Sequence, residues 1–153
     1  MKWLISSLLL IILSCNGQKR SALTTGEDKA QNTDSILSLI LSDSYSGADE
    51  AETLVITDAK SLQKFYSKIN RTRKPGLPIP DIDFSKESIV IQCGGKQDGL
   101  SVPELYVMHD SEQKLVIGVK QASQKSTDSA VTTPFSVYKM PVTQQEIIFK
   151  KGQ

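Results

Sequence analysis

Side chains able to do chemistry are few in this chain and far apart. The single imidazole, His109, sits between Met108 and Asp110. A histidine-dependent triad needs a nucleophile and an orienting acid brought to it, and a lone histidine beside a predicted turn reads as a solvated residue. Ser61-Leu62-Gln63-Lys64 and Ser136-Val137-Tyr138-Lys139 both fit Ser-x-x-Lys, in which a lysine activates a serine nucleophile. The companion motifs of that chemistry are missing, and Lys64 falls on a solvated helix face rather than in the desolvated pocket a base requires. Asp81, Asp83, Ser85 and Glu87 recur at every second position, as at the opening of a calcium loop, but Lys86 stands where that loop needs glycine and Gln92 where it needs an acid. The run reads instead as Asp83 capping a short turn ahead of a strand. Gly94-Gly95-Lys96 could offer backbone amides to an anion, yet no Ser or Thr follows the lysine, so its glycines are expected to supply positive φ in a loop. One histidine and one free cysteine are too few for zinc. No metal or cofactor is expected.

The chain has 153 residues, with 18 Lys plus Arg against 17 Asp plus Glu, 39% apolar and 6% aromatic residues. That is enough for one small domain. Near-neutral charge argues against a dedicated nucleic-acid binder, and the scarcity of aromatics argues against a stacking platform for single strands. At the amino end, Lys2 precedes an apolar block from Leu4 to Leu13, and Ile12-Leu13-Ser14 lead into Cys15. The block reaches only about half of the roughly 20 residues that a bilayer-spanning helix needs, so it reads as an export signal. An aliphatic residue three before and a small residue immediately before a cysteine resembles the bacterial lipobox. That resemblance implies cleavage after residue 14 and acylation of Cys15, by palmitate or a similar chain, as a permanent membrane anchor. The residues after it, Asn16-Gly17-Gln18-Lys19-Arg20, lack the acidic run that some surface-exported lipoproteins carry, and by that resemblance a periplasm-facing anchor in the cell envelope is expected. With Cys15 acylated, Cys93 has no partner in the chain. Spaced by two from Ile89 and Ile91, it is expected on the inward face of a strand, as a buried and inert thiol.

These groups must be positioned by a modest set of elements. Residues 15–34 are polar and read as a flexible tether; the domain is expected over 35–153. Ile36–Leu41 and Leu54–Ile56 read as strands. The next segment is the clearest helix, capped by Asp58, with Leu62, Phe65, Tyr66 and Ile69 at the helical interval. Lys60, Lys64, Lys68 and Arg71 point roughly 155° away from that stripe at about 100° per residue. They read either as a solvated face or as a contact for an acidic partner or anionic headgroups. Pro75, Pro78 and Pro80 predict an extended crossing. Strands are expected over 88–93, 102–108, 114–120, 135–140 and 146–150, with hairpin links at 94–99 and 110–112. Residues 122–133 are polar and expected to be mobile. The sum is an α+β fold: a mostly antiparallel sheet of six or seven strands, or a distorted sandwich, with one packed amphipathic helix.

Several of these pieces occur in a familiar order. Phe65-Tyr66-Ser67-Lys68-Ile69-Asn70, the proline-rich crossing, Asp83-Phe84-Ser85-Lys86-Glu87, a glycine-rich hairpin, and Pro134-Phe135-Ser136-Val137-Tyr138-Lys139-Met140-Pro141 together resemble the protease complex subunit PrcB family, from about Leu54 to Phe149. The resemblance implies a non-catalytic envelope lipoprotein accessory to a secreted protease. Members often show a Thr-Gly-Gly-Tyr type turn in the hairpin loop; the corresponding stretch here is Gln97-Asp98-Gly99-Leu100, without the second glycine and the tyrosine. Candidate loop contacts are then Lys96, Gln97 and Asp98. The expected function is protein binding or assembly at a membrane, with an unidentified envelope protein as partner. Two alternatives stand beside it: a small hydrolase or metal-dependent enzyme built from Asp81, Asp83, Glu87 and His109, and a carrier of a small apolar ligand.

Overall fold

The computed structural model describes residues 36–121 and 130–152. The expected signal peptide (1–14), Cys15 with the tether (15–34), and most of the polar segment 122–133 lie outside the described residues. Nine strands and one helix follow in the order β1 (Ser38–Asp43), β2 (Ala51–Ile56), α1 (Ala59–Ile69), β3 (Glu87–Gly94), β4 (Gln97–Asp98), β5 (Pro103–Asp110), β6 (Lys114–Gln121), β7 (Val131–Thr132), β8 (Phe135–Pro141) and β9 (Glu146–Lys151). A single 3-10 turn, Asn70–Thr72, extends α1. The α+β, sheet-dominated architecture agrees with the sequence reading. Seven of the strands match it within a few residues, while the two-residue β4 and β7 are too short to leave a periodic signal.

Four strands form one sheet in the order β1-β8-β3-β2, three form a second in the order β5-β6-β9, and β4 pairs with β7 alone. Only the β6–β9 pairing is parallel among the named strands. The link at 94–99 is not a hairpin, contrary to expectation: β3 pairs with β2 and β8, while β5 belongs to the other sheet. Gly95 (φ +74°) passes so close to the Ala51 amide that a Cβ there would stand 2.7 Å from its nitrogen, so the glycines serve a backbone crossing between layers. The link at 110–112 does join β5 to β6 as a hairpin.

The sequence of β3 explains the layering. Ile89, Ile91 and Cys93 face α1, where they pack with Leu62, Phe65, Tyr66, Ile69, Phe135 and Val137. Val90 faces the second sheet and joins Leu105, Leu115, Ile117, Tyr138 and Met140. A strand covered on both faces needs an unbroken apolar run rather than alternation, and Ile89-Val90-Ile91 is such a run. The helix, the four-stranded sheet and the three-stranded sheet are therefore three layers, with β3 and β8 of the middle layer contributing to both cores. At the helix start, the Asp58 carboxylate accepts from the Ser61 amide (2.9 Å) and from its hydroxyl (2.7 Å), as the cap position predicts. At its end the Arg73 guanidinium donates from two nitrogens to the Asp43 carboxylate, and from one of them also to the Tyr45 carbonyl (3.0 Å), fastening the crossing to the end of β1. On the outer face of the second sheet, the Tyr106 ring lies over Gly118, where a Cβ would stand 2.3 Å from the ring.

Two outcomes are expected from this packing. The Tyr66 hydroxyl is buried with no hydrogen-bond partner among the described residues, so Tyr66→Phe should leave stability unchanged or raise it by about 1 kcal/mol in urea unfolding. Arg73 holds the Asp43 carboxyl below its ordinary value, chiefly through the guanidinium hydrogen bonds. That stabilisation is present above the unfolded value of 3.8 and is lost as pH falls through the lower folded value. Asp43→Asn should therefore cost about 1–3 kcal/mol at pH 7 and flatten the acid limb of a stability-against-pH curve.

Candidate functional site

The surface of α1 is the first candidate. Lys60, Lys64, Lys68 and Arg71 are all exposed, and none forms an ion pair with a described acid. The helix contains no acidic residue. Because Leu62, Phe65, Tyr66 and Ile69 must face the sheet, the lysines at intervals of four are left in a row along the opposite side. Successive lysines rise by about 6 Å along the axis. The helix is pinned at both ends, by the Asp58 cap and by Asn70, whose side chain brackets Leu77, accepting from its amide (2.7 Å) and donating to its carbonyl (2.8 Å). A cationic row on a rigid support is thus presented to whatever approaches it.

The second set of sequence candidates, Lys96, Gln97 and Asp98, follows the glycine crossing. The Lys96 amide donates to the Asp49 carbonyl (2.9 Å) and its side chain is exposed. Gln97 donates to the Ser101 carbonyl (2.8 Å), and Gln97-Asp98 pair with Val131-Thr132. What read as an open loop tip is a braced two-strand ribbon, which sequence did not reveal because the pairing closes across 33 residues.

The carboxylates of the alternative enzymatic reading are separately engaged. Asp83 accepts from the Ser85 amide (3.1 Å) and hydroxyl and lies 3.0 Å from the Lys86 ammonium. These hydrogen bonds, that of the Ser85 hydroxyl foremost, hold its carboxyl below the ordinary range. Glu87 pairs with Lys139 across β3 and β8 at 2.8 Å. His109 lies exposed opposite Val116 beside a bulge in β5. Asp81 is exposed, and among the described residues no three His, Cys, Asp or Glu side chains stand close enough to hold a metal. The four candidates are thus not brought to one point.

Cys93 is fully buried and unpaired by disulfide. Burial pushes its thiol up from 9.0 to about 11, only partly offset by a hydrogen bond from the Ser46 side chain. That is the opposite of the depressed value a nucleophilic or redox-active cysteine needs. Sequence reasoning missed a further feature, an open cleft of about 340 Å³ between β2 and β9, lined by Ala51, Glu52, Thr53, Gln92, Val119, Phe149, Lys150, Lys151 and Gly152. Its walls come from strands 100 residues apart in sequence, and its polar members carry no motif. No helix among the described residues is long and apolar enough to cross a membrane.

No protein-family model, curated protein or solved structure is significantly similar to this chain.

Burial of Cys93 sets an expectation for reactivity. A thiol reagent should fail to label it in the native protein at pH 8 and should label it fully in denaturant. The pH dependence follows from the same shift. The neutral thiol is favoured by folding, so its contribution is complete below 9.0 and is lost as pH rises through about 11. Tyr66, pushed by burial from 10.0 to about 12, acts in the same direction. Urea midpoints should fall from about pH 9 upward, and Cys93→Ala should remove part of that slope.

Proposed function

We propose that this protein is a membrane-anchored envelope lipoprotein that acts, without catalysis of its own, as a protein-binding or assembly module. The observation that carries the reading is the row formed by Lys60, Lys64, Lys68 and Arg71, exposed and without ion pairs to described acids on a helix free of acidic residues. An exposed row of one sign attracts acidic surfaces and steers their approach. Cys15 at the end of the lipobox-like stretch would supply the lipid anchor, and the polar residues 16–34 would span the distance between bilayer and domain. The order of motifs from Leu54 to Phe149 supports a PrcB-like role, with a secreted protease as the partner class. A role without catalysis is supported by the separate engagements of Asp83 and Glu87 and by the raised thiol of Cys93, so that among the described residues these candidates supply neither an activated nucleophile nor a paired acid and base.

Two measurements test this reading. Mass spectrometry of material from bacterial membranes should find Cys15 amino-terminal and acylated, and Cys15→Ala should move the protein to the soluble fraction; an unmodified sulfur on native material would sink the anchor. Crosslinked capture from the envelope should recover an acidic protein partner. Lys64→Glu with Lys68→Glu should lower that recovery by about tenfold or more, corresponding to about 1.4 kcal/mol, while leaving the unfolding midpoint in place because both side chains are solvated. Unchanged recovery would remove the helix from the interface.

A further inference from the structure

The cleft between β2 and β9 lies between two free strand edges, and the hydrogen-bond pattern identifies which backbone groups line it. In β9, the amides of Glu146 and Gly152 donate towards the β6 side, to the carbonyls of Gln113 and Val119. Backbone groups alternate sides along a strand, so those of Ile147, Phe149 and Lys151 point away from β6, to the open edge. In β3, the Gly94 amide donates to the Pro134 carbonyl ahead of β8. The odd residues of β3 therefore serve β2, pairing with Glu52, Leu54 and Ile56. The backbone groups of Ala51, Thr53 and Val55 are left on the outer edge of β2. Four of these outward-facing residues, Ala51, Thr53, Phe149 and Lys151, line the cleft.

The side chains there are selective. Gln92 is 5% exposed in a layer whose other members are mostly apolar. Its amide donates one N–H to the Cys93 carbonyl (3.0 Å), and its oxygen accepts from the Thr53 hydroxyl. A side-chain amide offers two N–H groups and two lone pairs, so one of each is unused among the described residues. Val119 and Phe149 give an apolar surface. On the rim, Lys150 and Lys151 form no ion pair with a described acid, against the single acid Glu52.

We infer that this cleft is a peptide-binding site that takes an extended, acidic segment of a partner protein as an added strand. Strand addition matches unpaired edge groups, which supply affinity, to side-chain pockets, which supply choice. The excess of lysines selects a carboxylate, and Gln92 offers a donor and an acceptor suited to an amide. A volume of about 340 Å³ accommodates a short stretch of chain rather than a folded element. The site is separate from the row on α1, so the two readings stand or fall independently.

The test is selection of a displayed random-peptide library, of about ten residues per peptide, on the purified full-length protein. Dissociation constants of the enriched peptides would then be measured against variants. Enriched peptides should carry acidic residues. Lys151→Glu, at an exposed position, should weaken them about tenfold. Thr53→Pro, which removes an outward-pointing N–H and is tolerated on an edge strand, should weaken them similarly. Methylation of alternate backbone nitrogens of the peptide should abolish binding with no change to the protein, which keeps the test decisive if Thr53→Pro does not fold. The Lys64→Glu, Lys68→Glu protein should bind these peptides as well as the parent, whatever becomes of its envelope partner. Failure to enrich any peptide, enriched peptides indifferent to Lys151→Glu, or full affinity after backbone methylation would each overturn the proposal.

Discussion

Strand β3 is withdrawn from water on both faces, and almost every other feature of the domain follows from the need to cover it. Ile89, Ile91 and Cys93 require a helix on one side, and Val90 requires a second sheet on the other. Burial of such side chains is worth roughly 1.5–3 kcal/mol each, which makes exposure of either face untenable. The helix must therefore turn its apolar stripe inward, and the lysines that alternate with that stripe have nowhere to go but outward. The cationic row is thus a by-product of geometry as well as a surface available for recognition. The same layering leaves β2 and β9 as edge strands of their sheets, because stacked open sheets do not close on themselves as a barrel does.

What could be read in advance tracks the range of the forces involved. Leu62, Phe65, Tyr66 and Ile69 repeat at 3.6 residues and Asp58 precedes them, so the helix and its cap were legible from local pattern. The long strands were legible for the same reason. The link at 94–99 was misread because a glycine cluster between two apolar runs looks identical whether the chain turns back on itself or crosses to another layer. Only the long-range pairing of β3 with β2 and β8 distinguishes them. The cleft was invisible for a related reason. Thr53, Gln92 and Lys151 are unremarkable singly, and they become a site only when two sheet edges meet.

The ionisable groups divide by purpose in a way that mere counting of charges would miss. Asp43, Arg73, Asp83 and Glu87 are spent on holding turns and strand ends in place. Among the described residues, the charged groups without an ion pair on α1 and at the end of β9 are cationic. A protein whose overall charge is almost balanced can therefore present a biased patch, because α1 carries its lysines with no acidic residue among them. Net charge says little about what such a patch meets.

The seating of the Tyr106 ring on Gly118 constrains how this chain can diverge. Loss of the ring first would open a shallow recess that a larger residue at 118 could later fill. The reverse order would force a methyl group into the space the ring occupies, 2.3 Å from its nearest carbon. The first order needs no rearrangement, whereas the second requires the part-exposed Tyr106 ring to swing off its seat, so any side chain at 118 is gained at the expense of that ring's packing on the outer sheet face.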